Sequence, residues 1–160
     1  MGKTSYKTLK AVCVLTLIGC VLYVAFYAVQ SYYVLTTGSG CGVINWGSPR
    51  MGLKLTLFVV NRITIFLLAG LVAAFVFNIL KYLKGGTIFN HANMVLLWIM
   101  ALVLPIHSFV SDNMGIACSP SEHFDMVLTD SPFVYTVIAV IVALLYKLAY
   151  DAAEEQKLTI

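Results

Sequence analysis

A chain of 160 residues with 61% of them hydrophobic and only 11% charged is too apolar for a soluble domain. Such domains run at about 45–50% and about 25% respectively, so the excess here is solvated by lipid. The net charge of +3 singles out no polyanionic partner, and no basic stripe with interleaved aromatics marks a nucleic-acid interface, so nucleic acid is excluded and the lipid bilayer is the expected surrounding.

Taken in order, the chain opens with Lys3, Lys7 and Lys10 and no acid, and then runs apolar over 11–34. That exceeds the about 20 residues needed to cross a hydrocarbon core. Leu17-Ile18-Gly19-Cys20 has the form of a bacterial lipoprotein cleavage box. Lipoproteins turn polar after the cysteine, however, and here Val21-Leu22-Tyr23-Val24-Ala25-Phe26 stays apolar, so a retained first helix is expected. Met1-Gly2 does not complete a myristoylation motif, because position 6 is Tyr6.

A glycine-rich loop over 36–52 follows, with Cys41, Trp46, Pro49 and Arg50; Trp46, Tyr32 and Tyr33 suit an aromatic belt at the membrane interface. The second helix is expected over 53–80. Lys54, Asn61 and Arg62 interrupt its first half, which puts the hydrocarbon crossing at 63–80 and Arg62 near the outer boundary. A deeper Arg62 needs a partner inside the bundle, since an arginine at mid-membrane costs at least about 2.5 kcal/mol.

The shortest connection, Lys84 to Asn93, joins the second and third spans. Gly85 and Gly86 supply the backbone freedom to end one helix, and Thr87 or Asn90 offers an oxygen to cap the next. The third helix is expected over 93–110, with Pro105 kinking it or marking its last turn. A second loop over 111–131 holds Asp112, Cys118, Glu122, His123, Asp125 and Asp130 without any lysine or arginine. Ser131-Pro132 reads as a cap and first turn, the fourth helix is expected over 132–150, and a charged tail over 151–160 closes the chain.

Lys3, Lys7, Lys10, Lys81, Lys84, Lys147 and Lys157 fall on one side of this arrangement, with only Arg50 and Lys54 on the other and Arg62 at the boundary. The positive-inside rule then places both termini and the hinge in the cytoplasm. The fold expected is an all-α membrane protein, a four-transmembrane-helix up-down bundle in a bacterial inner membrane, forming a single domain over 1–160.

Cys41 and Cys118 fall in the two outer loops, where an oxidising compartment allows a disulfide between the hairpins. Cys13 and Cys20 share one helix face and read as small packing residues. A membrane thiol-disulfide oxidoreductase would need a resolving pair such as Cys-x-x-Cys, which is missing, so that reading stands as an outside alternative. Glu122, His123 and Asp125, with Asp112, could ligate a divalent cation, although a solvated acidic loop explains them without a metal. No triad order, phosphate-cradling loop or HExxH occurs, so no catalytic residue, cofactor or metal is assigned. Arg62 and His107 are candidates for lining a polar path, and Gly70 with Ala74 beside Ala69 and Ala73 forms a small-residue face for packing within the chain or, second, in a homodimer.

Gly86-Thr87-Ile88-Phe89-Asn90-His91-Ala92-Asn93 resembles the Gly-x-(Ile/Pro)-Phe-x-x-x-Asn signature of a bacterial four-helix membrane family known as domain of unknown function 2975. The ending Glu154-Glu155-Gln156-Lys157-Leu158-Thr159-Ile160 resembles that family's Glu-rich turn and terminus, apart from Lys157, where the family often has an acid. The family has no established activity, and its members are often encoded beside helix-turn-helix regulators. The resemblance therefore implies a cytoplasmic regulatory protein as partner. The expectation that follows is a non-enzymatic protein acting through contacts at its hinge, Gly86, Phe89 and Asn93, and its tail. A small transporter or channel component is the alternative.

Overall fold

The computed structural model describes residues 3–37, 50–83, 88–118 and 125–158. Cys41, Trp46, Lys84, Gly85, Gly86, Thr87, Glu122 and His123, as well as the last two residues, lie outside them. The described residues form helices and connections without any strand: α1 (Lys3–Thr37), α2 (Met51–Tyr82), α3 (His91–Asp112), α4 (Met114–Cys118) and α5 (Ser131–Leu158). The four long helices are each long and apolar enough to cross a membrane. At 1.5 Å per residue the 32 residues of α2 reach about 48 Å, beyond the about 30 Å of a hydrocarbon core.

Several elements run further than expected. The helix of the first span already includes Lys3. The charged tail is helical through Leu158, with Lys147 Nζ 2.9 Å from Asp151 one turn on. Part of the loop after the third span is the short helix α4. Pro105 ends nothing, since α3 continues through it to Asp112.

Each long helix packs on its neighbour in sequence: α1 on α2, α2 on α3, and α3 most extensively on α5, while α4 lies against α2. An α1–α5 contact is not among the substantial helix pairs, so the four helices form an open array with α1 and α5 at its edges. Neighbours are antiparallel. Val34 near the end of α1 meets Phe58 and Met51 near the start of α2, Leu57 of α2 meets Val110 near the end of α3, and His91 at the start of α3 faces Tyr150 of α5. The basic residues Lys7, Lys10, Lys81 and Lys147 are thereby brought to one end of the array.

The packing seams explain why these helices associate without help from water. In lipid there is no hydrophobic gain in burying one apolar helix on another, so close approach and polar contacts decide. Ala143 of α5 is fully enclosed, and its neighbour is α3, where Ala101 and Ser108 are also buried. On α2, Lys54, Leu57, Phe58, Asn61, Thr64, Ile65, Ala69 and Val76 are buried, a stripe at helical spacing that carries three polar residues, Lys54, Asn61 and Thr64, inward. On α1 the less exposed positions include Cys13, Thr16, Cys20, Tyr27, Gln30 and Val34, a seam at alternating spacings of three and four once Tyr23 is added.

Hydroxyls within the spans are satisfied locally. Thr16 donates to the Val12 carbonyl at 2.9 Å, Ser31 to that of Tyr27 at 2.6 Å and Thr56 to that of Gly52 at 2.8 Å. Each is a bond to the preceding turn, which removes the cost of a hydroxyl in hydrocarbon. The small-residue face of α2 behaves otherwise than expected. Ala69 is buried, but Gly70 and Ala74 are exposed, and a Cβ at Gly70 would meet nothing. Packing within the chain uses the Ala69 side of the helix instead.

Candidate functional site

Three constellations gather polar side chains inside this apolar frame. The first is the turn between α2 and α3. Asn90 is the N-cap of α3, with extended backbone, and its Oδ1 accepts the Asn93 N–H at 2.9 Å. This is the capping geometry that satisfies an orphan amide in the first turn. Tyr146 of α5 holds the same turn from across the interface. Its hydroxyl donates to the Ile88 carbonyl at 3.1 Å and accepts from the Asn90 N–H at 3.2 Å, while its ring packs edge-on against Phe89 at 5.3 Å and Phe75 at 5.8 Å.

Phe89 therefore keeps one side on Tyr146 and exposes 39% of its surface. Asn93 is fully buried, and neither atom of its side-chain amide has a hydrogen-bond partner among the described residues. Asn93 is thus enclosed at the start of α3, and Phe89 is the hinge residue that offers surface. Gly86 lies outside the described residues.

The second constellation ties the start of α5 to the end of α3. The Asn113 amide donates to the carbonyls of Phe109 at 2.8 Å and Val127 at 2.9 Å, and its Oδ1 accepts the Val127 N–H at 2.8 Å. Thr129 adds a hydrogen bond to the Asp112 carboxylate. Asp112 and Asp125 are exposed, and among the described residues no group of three or more His, Cys, Asp or Glu side chains could hold a metal. Cys41 lies outside the described residues, as does the side chain of Cys118; Cys13 and Cys20 are free thiols, the former buried.

The third constellation contains both residues of the expected polar path. A cleft of about 490 Å³ opens between α1, α2, α3 and α4, lined by Tyr23, Tyr27 and Gln30, by Asn61, Arg62 and Ile65, by His107 and Ser111, and by Met114 and Gly115. Arg62 is held by stacking. Its guanidinium carbon lies 4.9 Å from the Tyr27 ring centre and 4.7 Å from that of Phe58, contacts worth from about 0.5 to about 2 kcal/mol each as water is excluded. Two helices thus supply aromatic partners to this arginine.

His107 is anchored by Thr64, whose Oγ1 lies 3.0 Å from Nδ1 and 2.9 Å from the Asn61 carbonyl. The Thr64 hydroxyl has one proton. When it donates to the carbonyl, it accepts from Nδ1–H, so the His107 tautomer leaves Nε2 as an acceptor. Across the cleft, Gln30 Oε1 is buried with no hydrogen-bond partner among the described residues. His107 and Ser111 also line a second cleft, of about 300 Å³, against α5, together with Ser108, Asp112, Ser131 and Tyr135. His107 lies five residues before the end of α3, or about 7 Å at 1.5 Å per residue, so the polar region reaches in from the end of the array opposite the lysines.

Arg62 and His107 are brought together, whereas the hinge motif lies at the other end. Tyr27, Gln30, Asn61 and Thr64 complete the site and were not among the expected residues. Their signal was in the sequence, in the spacing of Tyr23, Tyr27 and Gln30 and of Asn61 with Thr64 on single helix faces. Comparison with protein-family models, with curated proteins and with solved structures finds no match.

Proposed function

We propose that this chain is a non-enzymatic, multi-pass protein of the bacterial inner membrane, with both termini cytoplasmic, that binds a small anionic solute in the cleft around Arg62. It would serve there as a transporter or channel component. One observation carries the reading: an arginine lying against two aromatic rings and a histidine anchored by a threonine line one cleft among otherwise largely apolar helices. Ionisable groups within such spans are costly and are retained where they line a pathway or bind a ligand. A volume near 490 Å³ lies within the range of small-molecule sites. Lys7, Lys10, Lys81 and Lys147 at the opposite end, against Lys54 at this one, support the orientation, with the cleft facing outward.

The test is direct. Proteoliposomes holding the full chain should bind or take up radiolabelled phosphate, acetate or glycerol phosphate, and Arg62→Gln should lower this at least tenfold. Wild-type protein that neither binds nor moves any of the three would overturn the proposal.

A second reading has its own observation. The hinge is pinned from both sides by Tyr146 yet leaves Phe89 exposed, as a contact point for a cytoplasmic regulatory protein would require. A photocrosslinker at Phe89 should trap one partner in cells, and an empty crosslink would remove this reading. The resemblance of the hinge to the four-helix family supports it.

A further inference from the structure

The smaller cleft on the other side of α3, of about 300 Å³, differs from the Arg62 cleft in the sign of its charge. His107, Ser108, Ser111 and Asp112 line it from the last turns of α3, and Ser131 and Tyr135 from the start of α5. Ser108 is enclosed, with 6% of its surface exposed, yet its hydroxyl makes no hydrogen bond among the described residues. The hydroxyls of Thr16, Ser31, Thr56 and Thr136 are instead turned back onto the carbonyl four residues earlier. A buried hydroxyl left without a partner is costly, and the cleft that Ser108 lines is where a ligand can supply one.

The sign of that ligand follows from Asp112. Among the described residues that line the cleft, Asp112 alone carries a formal charge, and no lysine or arginine is present. The Thr129 hydroxyl donates to its carboxylate, which fixes the group and leaves its remaining lone pairs for another donor. The C-terminal end of α3 favours a cation and the N-terminal end of α5 an anion. These two ends offset one another, so the carboxylate decides.

We propose that this cleft binds a small primary ammonium ion carrying a single ring or a short chain. An ammonium group offers three donors and no acceptor. The lining answers with the Asp112 carboxylate, the Ser108 oxygen and His107 Nε2, an acceptor in the tautomer set by Thr64. A chelated metal ion is not served, because no group of three or more His, Cys, Asp or Glu side chains is gathered among the described residues. Leu104 and the half-exposed Tyr135 ring give the organic part an apolar wall, and the face of that ring attracts cations as well. A volume near 300 Å³ is at the lower limit for small-molecule sites, which restricts the occupant to one ring. The site uses neither Arg62 nor Gln30 and stands apart from the anion cleft.

The experiment measures radiolabelled benzylamine bound to the full chain in phosphatidylcholine nanodiscs, with protein-free discs subtracted. Benzyl alcohol, which lacks the charge, and benzyltrimethylammonium, which keeps the charge but lacks N–H donors, are the competitors. Benzylamine should bind at least tenfold more tightly than either. Asp112→Asn keeps an oxygen for Thr129 and should lower binding at least tenfold, and Ser108→Ala should lower it about threefold. Asp130→Asn removes a neighbouring exposed charge that does not line the cleft and should change nothing, as should Arg62→Gln. Helical content and monodispersity are checked for each variant.

No binding above protein-free discs would overturn the proposal and leave the anion cleft untouched. Equal competition by benzyl alcohol would overturn it by showing that the charge is not read, and equal competition by benzyltrimethylammonium by showing that the N–H donors are not. A loss in Asp130→Asn as large as that in Asp112→Asn would reduce the effect to surface potential and overturn it too.

Discussion

Replacing Tyr146 with phenylalanine removes a single oxygen atom and tests whether α5 holds the α2–α3 turn. That hydroxyl accepts from the Asn90 N–H at 3.2 Å and donates to the Ile88 carbonyl at 3.1 Å, on either side of Phe89. A net contribution of about 0.5–1.5 kcal/mol for each hydrogen bond puts the loss in Tyr146→Phe at about 1–3 kcal/mol. The two ring contacts, to Phe89 at 5.3 Å and Phe75 at 5.8 Å, survive that change. Tyr146→Ala loses them as well, and at about 0.5–1.5 kcal/mol per aromatic pair it should cost about 1–3 kcal/mol more, before any cavity is counted. Reversible unfolding in mixed micelles, followed by circular dichroism as denaturing detergent is added, reads both values. Hydrogen exchange at the Asn90 amide should rise in both variants. If Tyr146→Phe is as stable as the wild type and exchange at Asn90 is unchanged, the hydroxyl does not hold the turn and the reasoning fails.

Two further outcomes follow from the buried amides. Asn113→Ala removes three hydrogen bonds and should cost about 2–4 kcal/mol in the same unfolding assay, with faster proteolysis near Leu128, which is already exposed; unchanged proteolysis would show that the segment is held elsewhere. Asn93→Leu replaces a fully buried amide that lacks partners among the described residues with an apolar side chain of similar size and should stabilise the protein by about 1 kcal/mol or more. A loss of stability in Asn93→Leu would mean that the amide is satisfied in the membrane by a group such as ordered water.

How far the site could be read in advance depends on the kind of signal each residue leaves. Arg62 and His107 stand out because a charge or imidazole in an apolar run is conspicuous by itself. Gln30, Tyr27 and Thr64 are ordinary until they are placed on a helix face: Tyr23, Tyr27 and Gln30 recur at four and three, and Asn61 and Thr64 share the buried stripe of α2. Periodicity could have found them, but it is masked where lipid-facing and packed positions are equally apolar. Tyr146 left no local trace, since a tyrosine in the last turns of a span is ordinarily an interfacial anchor.

The sequence by itself determined the class of this protein. Four stretches too apolar for water and long enough for a bilayer, separated by glycine, proline and charge, specify helices because only helices satisfy every backbone group in lipid within a single segment. It also grouped every lysine but Lys54 toward one end. Tertiary structure alone decided which faces meet. Without a hydrophobic gain to separate inside from outside, the choice falls to small residues and polar contacts. Ala143 at the α3–α5 interface and the stacking of Arg62 on Tyr27 and Phe58 are pairings between residues far apart in the chain. The same choice left α1 and α5 at open edges.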